Sequence, residues 1–120
     1  MKNNKYYRVN AEINLDAIVK NVDNLMALTK ENTGALAVVK ADGYGHGDVA
    51  VAKAVAQKVT GYAVATLDEA VNLRENGVKK PILVLGYVDP YEFDILVSHE
   101  ITATAVSYTH LRAHETRGNL

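Results

Sequence analysis

The sequence predicts an α/β fold of repeated βαβ units around a parallel sheet. Two observations carry this. Short apolar runs recur along the chain: ALAVV at 35–39, GYAVAT at 61–66, PILVL at 81–85 and ITATA at 101–105. Continuous runs of this kind suit strands covered on both faces, as in parallel sheets. Between them lie stretches with helix caps and helical apolar spacing, so that strand and helix alternate about every 20 to 25 residues. An open doubly wound sheet and a closed barrel both fit the alternation. Four strands cannot close a (β/α)8 barrel, which takes eight strands and typically ~250 residues. If the fold is a TIM-type barrel, these 120 residues hold about its first half.

Each element has its own signal. Residues 7–13 alternate apolar and polar and read as a short strand ahead of the repeat. Asn14 reads as a helix cap, and Leu15, Ile18, Val19, Val22, Leu25 and Met26 then recur at three and four, forming one apolar stripe. That helix fades in the polar turn TKENTG, which ends at Gly34. The run at 35–39 is the first strand of the repeat, and residues 47–59 form an alanine- and valine-rich helix. After the second strand, Thr66 and Glu69 make a capping box, and that helix stops at Asn76-Gly77. After the third, Asp89, Pro90 and Glu92 supply a cap, a first-turn proline and a third-position acid, starting a helix that runs to about His99. The fourth strand follows. Residues 106–120, VSYTHLRAHETRGNL, have neither apolar periodicity nor a strand-helix signal, and resemble translated adapter read-through. They are read as not native to the chain. Three segments result: an amino-terminal strand at 1–14, the βα units at 15–105, and the tail.

Composition narrows the function. With 48% apolar and 22% charged residues and a net charge of -1, the chain has no basic excess for nucleic acid. It has no cysteine, hence neither disulfides nor thiolate metal sites. No apolar stretch approaches the ~20 residues of a membrane span. The start, MKNNKYYRVNAEI, lacks the apolar core of a signal peptide. A cytoplasmic protein is expected.

The chemistry concentrates in AVVKADGYGHG, residues 37–47. Lys40 stands at the carboxyl end of the first βα strand, the end that carries the site in parallel α/β folds. With Val38 and Val39 beside it, its stem would lie in apolar surroundings. Desolvation disfavours the charged amine, and a neutral amine is a nucleophile toward an aldehyde. Gly43, Gly45 and Gly47 permit a tight turn and close approach to a ligand. Tyr44 offers a hydroxyl on an aromatic body, suited to a phosphate or a ring. A solvated strand-end lysine followed by a plain turn is the simpler alternative. The glycines are not a P-loop, because the lysine precedes them. No metal is expected. Asp42, His46 and Asp48 read as solvated loop residues, and His110 and His114, four apart as zinc ligands on a helix can be, fall in the tail.

AVVKADGYGHG resembles the pyridoxal-phosphate attachment motif of the alanine racemases. AEINLDAIVKNVDNL (residues 11–25) is similar to that family's first strand and helix, and AVATLDEAVNLRENGVKKPILVLGY (residues 63–87) to its second and third units. The resemblance covers residues 7–105. It implies a (β/α)8 barrel followed by a β domain, into which the strand at 7–13 would pack, and a homodimer. It implies pyridoxal 5'-phosphate held by Lys40 as a Schiff base, with Lys40 also one of two acid/base groups. Tyr44 would line the cofactor site near the phosphate, with Val38 and Leu85 beside the cofactor. The implied reaction is interconversion of L- and D-alanine, supplying D-alanine for peptidoglycan. The opposite-face tyrosine would lie beyond residue 120, so these residues alone are expected to be inactive. Other readings are a pyridoxal-phosphate carrier, a racemase for serine, lysine or arginine, and a non-enzymatic α/β domain.

Overall fold

The structure, a computed structural model, describes residues 8–105. Asn14 caps α1 (Leu15–Ala27), its side-chain oxygen accepting the Ala17 N–H at 3.0 Å. Leu15, Ile18, Val19 and Val22 turn toward the core and become partly buried. Then follow β1 (Leu36–Val38), a one-turn segment α2 (Lys40–Tyr44), α3 (Asp48–Ala54) and β2 (Gly61–Val64). The chain continues through α4 (Leu67–Glu75), β3 (Ile82–Val84), a 3-10 turn at Pro90–Glu92, α5 (Phe93–Ser98) and β4 (Thr102–Ala103).

All three strand pairings are parallel, and the order is β1-β2-β3-β4. That order separates the two architectures left open by the alternation. A doubly wound sheet reverses direction at a switch point and puts helices on both faces. Here each crossover moves on in the same sense, and the helices gather on one face, as in the first units of a barrel. Their buried residues, among them Ala52, Val55, Ala70, Leu73, Phe93 and Leu96, pack on Val39, Tyr62, Val64, Ile82 and Val84 of the sheet.

The other face is bare, which corrects one expectation. The run at 35–39 is not covered on both sides: Leu36 and Val38 are 46% and 42% exposed. β1 is an edge strand with a helix layer on one side only, so alternate residues meet solvent. In the interior of the sheet, β2 is buried throughout, as expected. Two other boundaries differ. Residues 8–14 form no strand, because a strand exists through its ladder and none of the four strands pairs with them. The helix expected over 47–59 stops at Ala54, where hydrogen bonds shorten to three-residue steps (Ala56 N–H to Lys53 O, Lys58 N–H to Val55 O). Residue 7 and the tail, with His110 and His114, lie outside the described residues.

Two polar features hold the layers in register. Tyr62, 1% exposed, donates its hydroxyl to Ala52 O at 2.5 Å and so ties β2 to α3. Arg74, near the end of α4, donates to four carbonyls, those of Val78, Lys80, His99 and Glu100, at 2.8–2.9 Å. It fastens the amino-terminal ends of β3 and β4, the end of such folds that serves stability.

The backbone between β1 and α3 is unusual. Ala41, Asp42, Gly43 and Tyr44 all have positive φ, between 52° and 64°, and the first three have ψ of 35–49°. They form one turn of left-handed helix. Such a conformation costs an L-residue roughly 1–2 kcal/mol, so runs of it are rare. Gly43 removes that cost at one position, and a Cβ there would stand 3.3 Å from the Asp48 nitrogen.

Two outcomes are expected. Gly43→Ala should lower stability by about 1–2 kcal/mol, read from the urea midpoint. Burial raises the Tyr62 pKa above its ordinary value. The unfolded chain therefore releases that proton first as pH rises. The stability due to Tyr62 is complete below about pH 10 and declines as pH climbs through the raised folded value. Tyr62→Phe should cost about 1–2 kcal/mol at neutral pH and remove that part of the alkaline decline in thermal stability.

Candidate active site

The site is built where β1 ends. Val39 still donates its N–H to Ala63 O at 3.0 Å, so the β1–β2 ladder runs one residue past the strand proper. Val38 is level with Ala63, and Ala63 with Leu83. Lys40 follows Val38 by two residues, and Leu85 follows directly on β3. The ladder between β2 and β3 also continues there, Leu85 N–H to Val64 O at 2.8 Å and Gly86 N–H to Ala65 O at 3.2 Å. Val38 faces the helix-free side, and Lys40 and Leu85 follow at the carboxyl ends of β1 and β3.

Lys40 is half-buried, and its amine makes no hydrogen bond or ion pair among the described residues. Val38 and Leu85, at the carboxyl ends of β1 and β3, are 42% and 45% exposed. Tyr44 ends the left-handed turn and is 60% exposed, its aromatic body available to a ligand. An amine with no partner among the described residues, at a strand end where apolar side chains are exposed, fits a flat, aldehyde-bearing ligand. The amine can bond to the carbonyl carbon while the ring covers apolar surface.

The loop after Lys40 is held by its own polar groups. Gly43 N–H donates to Val39 O at 2.9 Å and Gly47 N–H to Asp42 O at 2.8 Å. Asp42 Oδ1 accepts the Asp48 N–H at 3.0 Å, and Asp48 Oδ2 accepts from the Asn72 amide at 3.2 Å. His46 Nδ1 lies 3.1 Å from Gly43 O. These side chains serve the turn, and among the described residues no group of three or more could hold a metal ion. No described helix is long and apolar enough to cross a membrane.

One residue exceeds its sequence reading. Thr66 and Glu69 form the expected capping box on α4, Thr66 Oγ1 accepting the Glu69 N–H at 3.2 Å. Glu69 Oε1 accepts from Thr66 N–H at 3.2 Å and from Ala65 N–H at 2.7 Å. Its other oxygen, Oε2, accepts the Ala41 N–H at 2.7 Å, 28 residues earlier in the chain. A capping box is visible in sequence; a long-range contact of its spare oxygen carries no local signal.

Known proteins share the sequence pattern and the fold. The family model described as alanine racemase, N-terminal domain, matches residues 13–119. The alanine racemase of Streptococcus equi subsp. zooepidemicus (strain H70) is 43% identical over 97 residues, 81% of this chain and 26% of that protein. The crystal structure of alanine racemase from E. faecalis superposes with a TM-score of 0.84 at 42% identity, over 88% of this chain and 29% of that one. A histidine racemase from Leuconostoc mesenteroides subsp. sake gives a TM-score of 0.79 at 29% identity, over 86% of this chain and 28% of that one. The chain therefore spans about a quarter of the length of the curated relatives it matches. On its sequence, its strand order and the lysine at the end of its first strand, the chain belongs to the alanine racemase N-terminal domain family.

Proposed function

We propose that this chain is the cofactor-bearing part of a pyridoxal 5'-phosphate-dependent alanine racemase. The observation that supports this most is the position of Lys40 at the carboxyl end of β1, where its amine has no hydrogen bond or ion pair among the described residues. Pyridoxal 5'-phosphate, when bound, supplies an electron sink that lets the Cα proton of an amino acid leave. Lys40 holds the cofactor through its amine. From the end of β1 its amine, when not bonded to the cofactor, would take or return the Cα proton on one face. Val38 and Leu85 bear on the cofactor and keep water from the amine. Tyr44 lines the site near the phosphate.

A single base on one face returns the starting enantiomer, so racemisation needs a second proton carrier on the opposite face. We place that group, and the groups that steady the substrate carboxylate, outside these 120 residues. On this reading the 120 residues alone are inactive, and the full protein is a cytoplasmic homodimer making D-alanine for peptidoglycan. A racemase for another amino acid is the second reading, favoured by the similarity to a histidine racemase. A carrier that binds the cofactor without racemising is the third.

The test uses the full-length protein with a panel of single-enantiomer amino acids, alanine and histidine included, and chiral product analysis. L- and D-alanine should interconvert fastest. Lys40→Ala should abolish the visible absorption of the bound cofactor and lower the rate by at least about 10²–10⁴-fold. Faster turnover of another amino acid would transfer the assignment to it. Cofactor binding with no racemisation in the panel would leave the carrier reading. Activity and absorption that survive Lys40→Ala would remove Lys40 from its role.

A further inference from the structure

We infer that Glu69 is a positioning residue for Lys40, an inference that rests on the reading of Lys40 as the cofactor-bearing lysine. The Ala41 N–H belongs to the peptide group that leaves Lys40. It opens the left-handed turn, where the first N–H groups have no partner four residues back. Glu69 Oε2 supplies that partner at 2.7 Å, from α4. The other oxygen is fixed by Ala65 and Thr66 at the end of β2. One carboxylate thus ties the exit of β1 to the exit of β2. On the other side of Lys40, the carbonyl of the peptide that enters it, Val39 O, accepts the Gly43 N–H at 2.9 Å. The two peptide groups that flank the Lys40 Cα are therefore held, one by Glu69 and one by the turn itself, and the direction in which the amine leaves the sheet is set.

Helix capping alone does not require this. The cap uses Oε1, and glutamine fills the same place in such boxes. Oε2 is the surplus. An ionised acceptor also makes a stronger bond than a neutral one. It acts where the chain enters the turn whose conformation at Ala41, Asp42 and Tyr44 is strained (φ 52–58°). Without it, that first peptide can swing out, and Lys40 turns with it.

Glu69→Gln separates the two roles. Glutamine keeps one oxygen for Ala65 and Thr66 and presents an NH2 group, a donor, to the Ala41 N–H. Thr66→Ala does the reverse, weakening the cap and leaving both carboxylate oxygens in use. The experiment compares wild type and both variants as full-length protein labelled with 15N-alanine. Amide hydrogen exchange at Ala41 and Ala65 is read in the apo form, and pyridoxal 5'-phosphate affinity from visible absorption. In wild type the Ala41 amide, on an exposed residue, should be protected. In Glu69→Gln its exchange should quicken about tenfold or more while Ala65 changes little, and cofactor affinity should fall about tenfold. Thr66→Ala should lower thermal stability and leave Ala41 protection and cofactor affinity in place. An unprotected Ala41 amide in wild type overturns the inference whether or not the variants fold. So does a Glu69→Gln protein with unchanged Ala41 exchange or unchanged affinity. Failure of wild type itself to bind the cofactor at Lys40 would instead overturn the functional reading, and the exchange data would stand apart from it.

Discussion

The carboxylate of Glu69 is the contact on which the geometry around Lys40 depends. It accepts N–H groups from the ends of two neighbouring strands at 2.7 Å each, Ala41 after β1 and Ala65 after β2. Ordinary ladders end where strands end, and the next amides must find other partners or face water. Here the partner is charged and shared, so two loops that leave the sheet leave it together. A strained left-handed turn can follow β1 because its first donor is held and its later carbonyls receive Gly45, His46 and Gly47 N–H groups. The cost of that conformation falls on a few residues beside Lys40, and backbone strain of this kind clusters at functional sites.

The layer arrangement decides which face the lysine uses. Helices α3, α4 and α5 bury one side of the sheet, with Val39, Tyr62, Val64, Ile82 and Val84 as its contribution to the core. Alternation then sends Leu36 and Val38 to the other side, and Lys40 follows where β1 ends. Gly61 and Gly86 let neighbouring strands approach closely: a Cβ at either would come 2.5 Å from a carbonyl, that of Pro81 or Ala65. Structural and chemical tasks are thereby separated. Arg74 fastens carbonyls near the amino-terminal ends of β3 and β4, and the candidate site occupies the opposite end.

Much of this was legible from the sequence because it rests on local rules. The caps at Asn14, Thr66 and Asp89 start helices where expected, and each side chain accepts the predicted kind of N–H. The four apolar runs are the four strands, in a parallel sheet. What was not legible depends on neighbours. Leu36 and Val38 look like core residues in sequence, but burial of a strand's second face needs something packed on it. Residues 8–14 alternate like a strand and have no ladder to join. The left-handed turn was only hinted at by its glycines, since Ala41, Asp42 and Tyr44 do not favour positive φ, with Asp42 the least averse of the three. Glu69 was visible as a cap and invisible as the partner of Ala41. Lys40, Tyr44, Val38 and Leu85 were named through family resemblance; Val38 ends β1, Lys40 and Tyr44 bound the turn after it, and Leu85 follows β3.

The central claim is that Lys40 is the amine that carries the cofactor. It is tested most directly by loading the full-length protein with pyridoxal 5'-phosphate, reducing it with borohydride and mapping the modified peptides by mass. The account predicts one dominant pyridoxyl adduct, on the peptide containing Lys40. An adduct on another lysine with Lys40 unmodified, or scattered labelling with no preference for Lys40, would contradict it.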